Sequence, residues 1–291
     1  MDYPGGKSGP GVYHRLINLM PPHHTYIEPF LGGGAVMRLK RPAPYNIGVD
    51  LDAGVIADWR SRIGENALAV RDGEKADSAG DIGRPAAPRG PSNPPTSAAA
   101  GGSDDGVPAD LRRRRSVDPP TGDGEPPRFR FLRGDALTFL QSYPFAPDDL
   151  IYCDPPYLLE TLASRPRYRH NFSDEQHAEL LASIGDLPCR VMISGYWSEM
   201  YADVLRRWNS IHFEAMTRGG MATEWLWFNF DPPVALHDYR YLGETAHQRQ
   251  DLKRQIASWT GKLERMPALK KQALLAAIGS TIGENDAGIH G

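Results

Sequence analysis

The sequence predicts an α/β domain built on a mostly parallel sheet, interrupted by a long polar insertion and followed by a helical tail. Two observations predict the sheet. From Thr25, short apolar runs alternate with helical patterns: TYIEPF, a glycine triplet opening AVMRLK, then NIGVDLD, then a helix beginning near Ala53. Strand, turn, helix, strand is the unit from which parallel sheets are made. Three later runs also end at a Gly, Asp or Pro, where such sheets place their ligand-binding loops: RFRFL before Gly134, LIYCD before Pro155 and RVMIS before Gly195. A third observation predicts the insertion. Around residues 73–127 the chain turns rich in Pro, Gly, Ser, Ala and Asp and poor in aromatics, a composition that buries too little apolar surface to offset its ordering entropy.

The remaining elements follow from local signals. Ser173 heads SDEQHAELLASIG and forms a capping box with Gln176, and Ala178, Leu181, Ala182 and Ile184 give the expected apolar face of a crossover helix. IHFEAM and EWLWFNF flank a Gly-rich loop, predicting a hairpin that closes the sheet with an antiparallel strand. Past Pro232 and Pro233, the spacing of Leu252, Ile256, Trp259, Leu263 and Met266 predicts a long helix, broken at Pro267 and followed by a shorter one from about Ala268 to Ile278. The apolar seam covers fewer than three heptads, which favours packing on the catalytic domain, and a monomer, over a dimerisation helix. The expected organisation is therefore 1–72 and 128–233 as two parts of one catalytic domain, 73–127 as a disordered insertion, and 234–291 as the tail.

A chain of 291 residues with net charge -3 lacks the basic balance of many nucleic-acid binders, so any DNA contact must come from local clusters. Cys153 and Cys189 lie in or beside apolar runs, without the spacing of a metal site, and read as buried thiols of a reducing compartment. No signal-like amino terminus and no membrane-length apolar run is evident, so a cytoplasmic protein with no membrane partner is expected.

Three stretches carry chemistry. In EPFLGGGAV, Glu28 ends a strand and Gly32, Gly33 and Gly34 lead into a helix, a turn that lets backbone approach a ligand. The dinucleotide fingerprint is incomplete, because Met37 stands where its third glycine belongs. Asp50 ends the next strand, where an acid can bind both hydroxyls of a ribose; a nicotinamide dinucleotide and S-adenosylmethionine are both compatible. GGKS at Gly5 to Ser8 looks like the end of a phosphate-binding loop, but the glycine required five positions before Gly6 is Met1, which argues against ATP hydrolysis. Asp154-Pro155-Pro156-Tyr157 follows the strand LIYC. Its two prolines fix a rigid turn and remove two backbone donors, leaving carbonyls and a carboxylate to accept from an amine, with Tyr157 offering a ring on which a base can stack.

These stretches, in order, resemble the Dam-type adenine-specific DNA methyltransferases. The resemblance runs through YPGGKS at Tyr3 to Ser8, EPFLGGGAV, VDLD at Val49 to Asp52, GDA at Gly134 to Ala136 and DPPY. It continues through NFSDEQHAELL from Asn171, SGYWSEMY from Ser194 and EWLWFN from Glu224. It implies a Rossmann-like seven-stranded sheet with a reversed strand, S-adenosylmethionine as cofactor, and transfer of a methyl group to the exocyclic 6-amino group of a flipped-out adenine in DNA. By the same resemblance Tyr3, Gly5, Gly6 and Lys7 border the cofactor's methionine end. Glu28, Pro29, Phe30, Gly32 and Gly34 form the main cofactor turn, Asp50 binds the ribose, and Asp135 the cofactor's adenine. Asp154, Pro155, Pro156 and Tyr157 hold the target base, with Asp154 also bordering the cofactor. No metal is implied.

Arg165, Arg167, Arg169 and His170, interleaved with Tyr168 in the loop after DPPY, are the expected phosphate contacts. The insertion departs from the family, which places a helical target-recognition domain there; the run Arg112 to Arg115 reads better as a solvated linker than as a phosphate contact. Competing readings are an amino-methyltransferase acting on RNA or on a protein glutamine, disfavoured because the glutamine enzymes carry Asn where this chain has Asp154, and an inactive DNA-binding relative.

Overall fold

The computed structural model describes Lys7 and residues 11–63, 126–158, 172–217 and 220–287. Most of the expected insertion, with Arg112 to Arg115, lies outside the described residues. So do Tyr3, Gly5, Gly6, Arg165, Arg167, Tyr168, Arg169 and His170. The chain divides into two compact units, 1–237 and 238–291.

The first unit carries a seven-stranded sheet. Its strands are β1 (Thr25–Glu28), β2 (Tyr45–Asp50), β3 (Arg128–Arg133), β4 (Asp149–Cys153), β5 (Arg190–Gly195), β6 (Asn209–Thr217) and β7 (Gly220–Phe228), in the spatial order β3-β2-β1-β4-β5-β7-β6. β1 to β5 pair in parallel, whereas β7 runs antiparallel to both β5 and β6. This is the Rossmann-like sheet with one reversed strand that the sequence leads one to expect. Every residue of β1 and β4 is buried, as strands covered on both faces require. Among the described residues the unit also carries helices α1 (Val12–Ile17), α2 (Ala35–Leu39), α3 (Ala53–Ile63), α4 (Ala136–Ser142), α5 (Asp174–Gly185) and α6 (Glu199–Val204). Ile27, Ile47, Ile151 and Ile193 from the strands meet Leu137, Leu140, Leu181 and Ile184 from α4 and α5 in one continuous core.

Helix α5 shows where periodicity alone misleads. The capping box forms, with Gln176 N donating to Ser173 Oγ and Ser173 N to Gln176 Oε1. The buried face, however, is His177, Leu180, Leu181 and Ile184, while Ala178 and Ala182 are exposed. The helix turns its larger side chains inward, because His177 Nδ1 lies 2.9 Å from the buried Tyr201 hydroxyl.

The strand order sets the position of any ligand. Successive strands are added in one direction from β1 to β3 and in the other from β4 onward, so the chain reverses between β1 and β4. Open sheets bind ligands in the crevice at the carboxyl ends of the strands at such a reversal. The two turns singled out from the sequence leave exactly those two strand ends: EPFLGGG follows β1 and DPPY follows β4.

The glycine turn is held from below. Gly32 and Gly34 have φ of 45° and 50°. Trp59 of α3 donates from Nε1 to the Gly32 carbonyl at 3.1 Å, and its ring fills the space a side chain at Gly34 would occupy. The end of the unit is tied down by His237, whose N donates to the Met20 carbonyl and whose Nε2 lies 2.9 Å from the Arg41 carbonyl, with its ring stacked on His23 at 3.9 Å. Burial, reinforced by the Lys40 charge, pushes the His237 imidazole down to about 4, and the same two causes hold His23 well below the ordinary histidine range.

In the second unit, Thr245 caps α7 (Ala246–Glu264) through Gln248 N. After Pro267, α8 (Ala268–Ala287) is longer than α7 rather than shorter as expected, and continues through Gly279. Within this unit no residue of α7 is buried, and Ile256 and Trp259 are 51% and 63% exposed.

Two outcomes follow. Gly34→Ala, with Cβ placed 2.3 Å from the Trp59 ring and a left-handed backbone, should lower unfolding free energy by about 2 to 5 kcal/mol in urea titration. Because the unfolded state takes a proton near pH 6.5 and folded His237 only near 4, stability should fall as pH drops from 6.5 to 4, by at most about 3 kcal/mol for this residue. His237→Phe keeps a ring against His23, and the same titration should show a shallower slope.

Candidate active site

DPPY follows β4 with Asp154 at the strand's carboxyl end. Asp154 Oδ1 accepts from Ser194 Oγ at 3.1 Å, and the Tyr152 hydroxyl lies 2.9 Å from Ser194 Oγ. With Ser194 donating forward, Tyr152 donates to Ser194, so a buried relay from β4 and β5 fixes the carboxylate. The Asp154 side chain remains 25% exposed.

Beneath it lies a buried ammonium. Lys7 Nζ is 3.0 Å from Asp154 Oδ1, 2.7 Å from Glu224 Oε1 and 2.5 Å from the Tyr157 hydroxyl, and it sits over the Tyr157 ring at 4.9 Å. The Tyr157 hydroxyl in turn donates to Glu224 at 3.2 Å. An ammonium carries three donors and no acceptor, and here each donor has one oxygen. Burial alone would lower the Lys7 pKa, but Asp154, Tyr157 and Glu224 outweigh it and hold the amine well above the usual lysine range. Glu224, on β7, is raised by burial while Lys7 opposes that shift.

The sheet order explains why these residues meet. β7 lies beside β5, and β5 beside β4, so a carboxylate on β7 reaches the turn after β4 across one intervening strand. Glu224 escapes a sequence reading because a lone acid in EWLWFNF looks like an exposed strand position; its one signal was an acidic residue at an inward position of an otherwise apolar strand. Ser194, Tyr152 and Tyr196 were missed for a similar reason, being ordinary residues in or just after strands.

The expected cofactor residues occupy varied settings. Asp50 Oδ2 accepts from Gly32 N at 2.8 Å and Oδ1 from Asp52 N at 2.8 Å, so it shapes the glycine turn. Asp135 caps α4, with Oδ1 accepting from Thr138 N and Oγ1. Glu28 is buried, accepts from the Tyr26 hydroxyl at 2.8 Å, and is pushed up to about 8 by burial, so it is largely protonated at neutral pH. Pro29 is buried, and Phe30 packs edge-on against Phe172.

Tyr157 is 9% exposed, and its ring is stacked with Tyr196 at 4.3 Å. The face expected to receive a base is thus covered by Tyr196, which is half-buried. Next to this pair a small cavity is lined by Pro155, Pro156, Ser194, Gly195, His177 and Tyr201. Burial pushes His177 down to about 4, so a neutral imidazole borders the cavity.

Among the described residues, no helix is long and apolar enough to cross a membrane. No protein-family model matches the sequence, and no curated protein matches it. Solved structures with a similar fold include an rRNA methylase from Streptococcus thermophilus, 8% identical, covering 75% of this chain and 93% of that one, with a TM-score of 0.38. TrmK of M. capricolum, in complex with S-adenosyl-homocysteine, is 6% identical over 94% of this chain and 96% of its own, with a TM-score of 0.37. Magnesium protoporphyrin IX methyltransferase from Synechocystis, with bound SAM, is 9% identical over 75% of each chain, with a TM-score of 0.35. At such scores these likenesses carry no argument about activity, and the fold rests on the strand order itself.

Removing the ammonium leaves two carboxylates facing each other in a buried site, and breaking a buried ion pair on one side costs about 3 to 5 kcal/mol. Lys7→Met should lose that much stability at pH 8. Without Lys7, Glu224 is raised further, so the folded protein gains a proton as pH falls and the deficit should shrink toward pH 5, as read by urea titration at both values.

Proposed function

We propose that this chain is an S-adenosylmethionine-dependent methyltransferase that places a methyl group on the exocyclic amino nitrogen of adenine in DNA. The observation that carries the reading is the Asp154 carboxylate, fixed by Ser194 at the β1/β4 reversal and already accepting from a nitrogen, that of Lys7. An acceptor held for an N–H donor, next to a glycine turn of the adenosine-binding kind, suits an amine substrate and a nucleoside cofactor.

The residues present fit the cofactor. Lys7 against Asp154 and Glu224 leaves one formal negative charge in a largely buried cluster, which favours a cationic ligand. Asp50 would take the ribose hydroxyls, and Asp135 would reach the cofactor's adenine through Oδ2, its Oδ1 being engaged in the cap. When bound, S-adenosylmethionine supplies a methyl group activated on a sulfonium.

The chain's own task is to improve a poor nucleophile, since the amino lone pair of adenine is delocalised into the ring. Asp154 and the Pro155 carbonyl would accept from the two amino hydrogens, drawing the nitrogen toward tetrahedral geometry and localising the lone pair. On taking up the methyl group the nitrogen would have to give up one proton, which Asp154 would accept and pass to solvent. A carboxylate is too weak a base to remove it beforehand, so its loss accompanies or follows transfer. Alignment for in-line attack is worth up to about 7 to 11 kcal/mol of barrier. A duplex adenine must be flipped out to reach this site, at a cost of a few kcal/mol, and Tyr196 must move aside or become the second wall of the base slot.

The decisive assay is transfer of labelled methyl from S-adenosylmethionine to adenine-containing DNA. Incorporation into RNA or protein alone would reject the DNA reading, and incorporation into none of them would favour an inactive binder. Asp154→Ala should lower transfer by at least about a hundredfold and, by removing the cluster's excess negative charge, weaken the cofactor less than Asp50→Ala does. Equal loss of cofactor affinity in both, measured calorimetrically, contradicts the assigned roles.

A further inference from the structure

The reversed hairpin runs past the sheet it closes. β5 pairs with β7 only as far as Gly195, opposite Trp225, so Gly220 to Glu224 and their β6 partners continue beyond the carboxyl end of β5. At the usual rise of a strand this overhang is about 15 Å long. It stands at the edge of the sheet where the turns after β1 and β4 also lie. Its root is part of the site, because Glu224, the last residue before the pairing with β5 begins, reaches Lys7 and Tyr157.

The two faces of this ribbon differ. Phe213, Ala215 and Glu224 are buried, with Arg15 of α1 over the Phe213 ring at 5.3 Å, so the inner face fastens the ribbon to the domain. On the outer face Met216 and Met221 stand directly opposite each other, 69% and 59% exposed. The neighbouring strand end adds Trp197, 54% exposed. Its backbone is fixed on both sides, by Tyr196 stacked on Tyr157 and by Ser198, whose Oγ accepts from Tyr201 N at the start of α6. One rim beside DPPY thus holds three large apolar side chains in water on an ordered backbone, and apolar groups gathered in this way mark a binding surface.

We propose that this rim binds the bases of the DNA substrate, with the ribbon lying in the groove beside the target adenine and Trp197 stacking on neighbouring bases. The proposal rests on the DNA reading and deepens it by naming a surface that touches the substrate. A two-stranded ribbon has the width to enter a major groove, methionine is among the side chains that wedge between base steps, and an aromatic ring stacks on any base. The rim does not work by charge. Its outer face carries the carboxylate of Glu214, which accepts from Thr223 Oγ1 at 2.7 Å and repels phosphates, so the affinity here comes from apolar burial and stacking. Because the backbone is already held, little ordering is lost when the bases arrive.

The test uses the full chain with S-adenosylhomocysteine bound, titrated against a fluorescein-labelled, adenine-containing duplex of mixed sequence and followed by anisotropy. Trp197→Ala, and separately Met216→Ser with Met221→Ser, should each weaken binding about tenfold while affinity for S-adenosylhomocysteine stays within about twofold of wild type. Trp197→Phe, which keeps a ring, should recover to within about threefold. Since no phosphate contact is removed, the slope of log affinity against log salt should be the same in wild type and variants, whereas loss of one phosphate contact would lower it by about one. Unchanged DNA affinity in either variant, no recovery in Trp197→Phe, or a shallower salt slope overturns the proposal. So does a wild-type dimer that the methionine variant loses, which would make a second copy of the chain the occupant, and so does a loss of affinity for RNA but not for DNA.

Binding is read without turnover, so the two failures separate. If wild type transfers no methyl to DNA yet these losses of affinity are found, the reaction is rejected and the surface stands. If transfer is found and the variants bind DNA as wild type does, the reaction stands and the surface is rejected.

Discussion

One buried ammonium organises the site. Lys7 comes from the start of the chain, Asp154 and Tyr157 from the turn after β4, and Glu224 from the reversed strand, and the charge on Lys7 is what allows two carboxylates and a phenol to sit within hydrogen-bond reach of each other. At the low effective dielectric of such a setting, an uncompensated charge costs several kcal/mol, so the four groups hold their geometry as a set. That mutual dependence makes Asp154 a fixed acceptor.

The sheet supplies the other half of the constraint. The reversal of strand order between β1 and β4 puts a glycine turn and an acidic, proline-locked turn at neighbouring strand ends. Trp59 fills the space under Gly34, while Asp50 ties Gly32 through its backbone N–H. The glycines are thus required from beneath, by packing and by backbone conformation, as well as by any ligand above. Asp50 and Asp135 each make local structural bonds, so the effects of variants there must be read for stability as well as for any change in binding.

Much of this was legible in the sequence, because each strand of the parallel sheet is an apolar run ended by a turn residue. TYIE, LIYC and RVMIS could hardly have been anything else, and the Ser173 capping box marked its helix start to the residue. Long-range polar partners were not legible. Glu224, Ser194 and Tyr196 look like unremarkable strand residues until the sheet brings β5 and β7 beside DPPY. Nor did the sequence reveal that Tyr196 covers the Tyr157 face, or that α5 buries His177 in place of its alanines, since both depend on which neighbour is larger and which polar atom needs a partner. The tail's apolar spacing was visible, but spacing says nothing about whether the stripe it forms is covered.

The central claim is that a sulfonium and a substrate amine share the cleft between the turns after β1 and β4. A crystal structure of the protein with S-adenosylmethionine tests this most directly. The account predicts the ligand lying across Gly32 to Gly34 with its ribose on Asp50 and its methyl group pointing toward Asp154. A ligand bound with its methyl group turned away from Asp154, or seated at a different edge of the sheet, would contradict it.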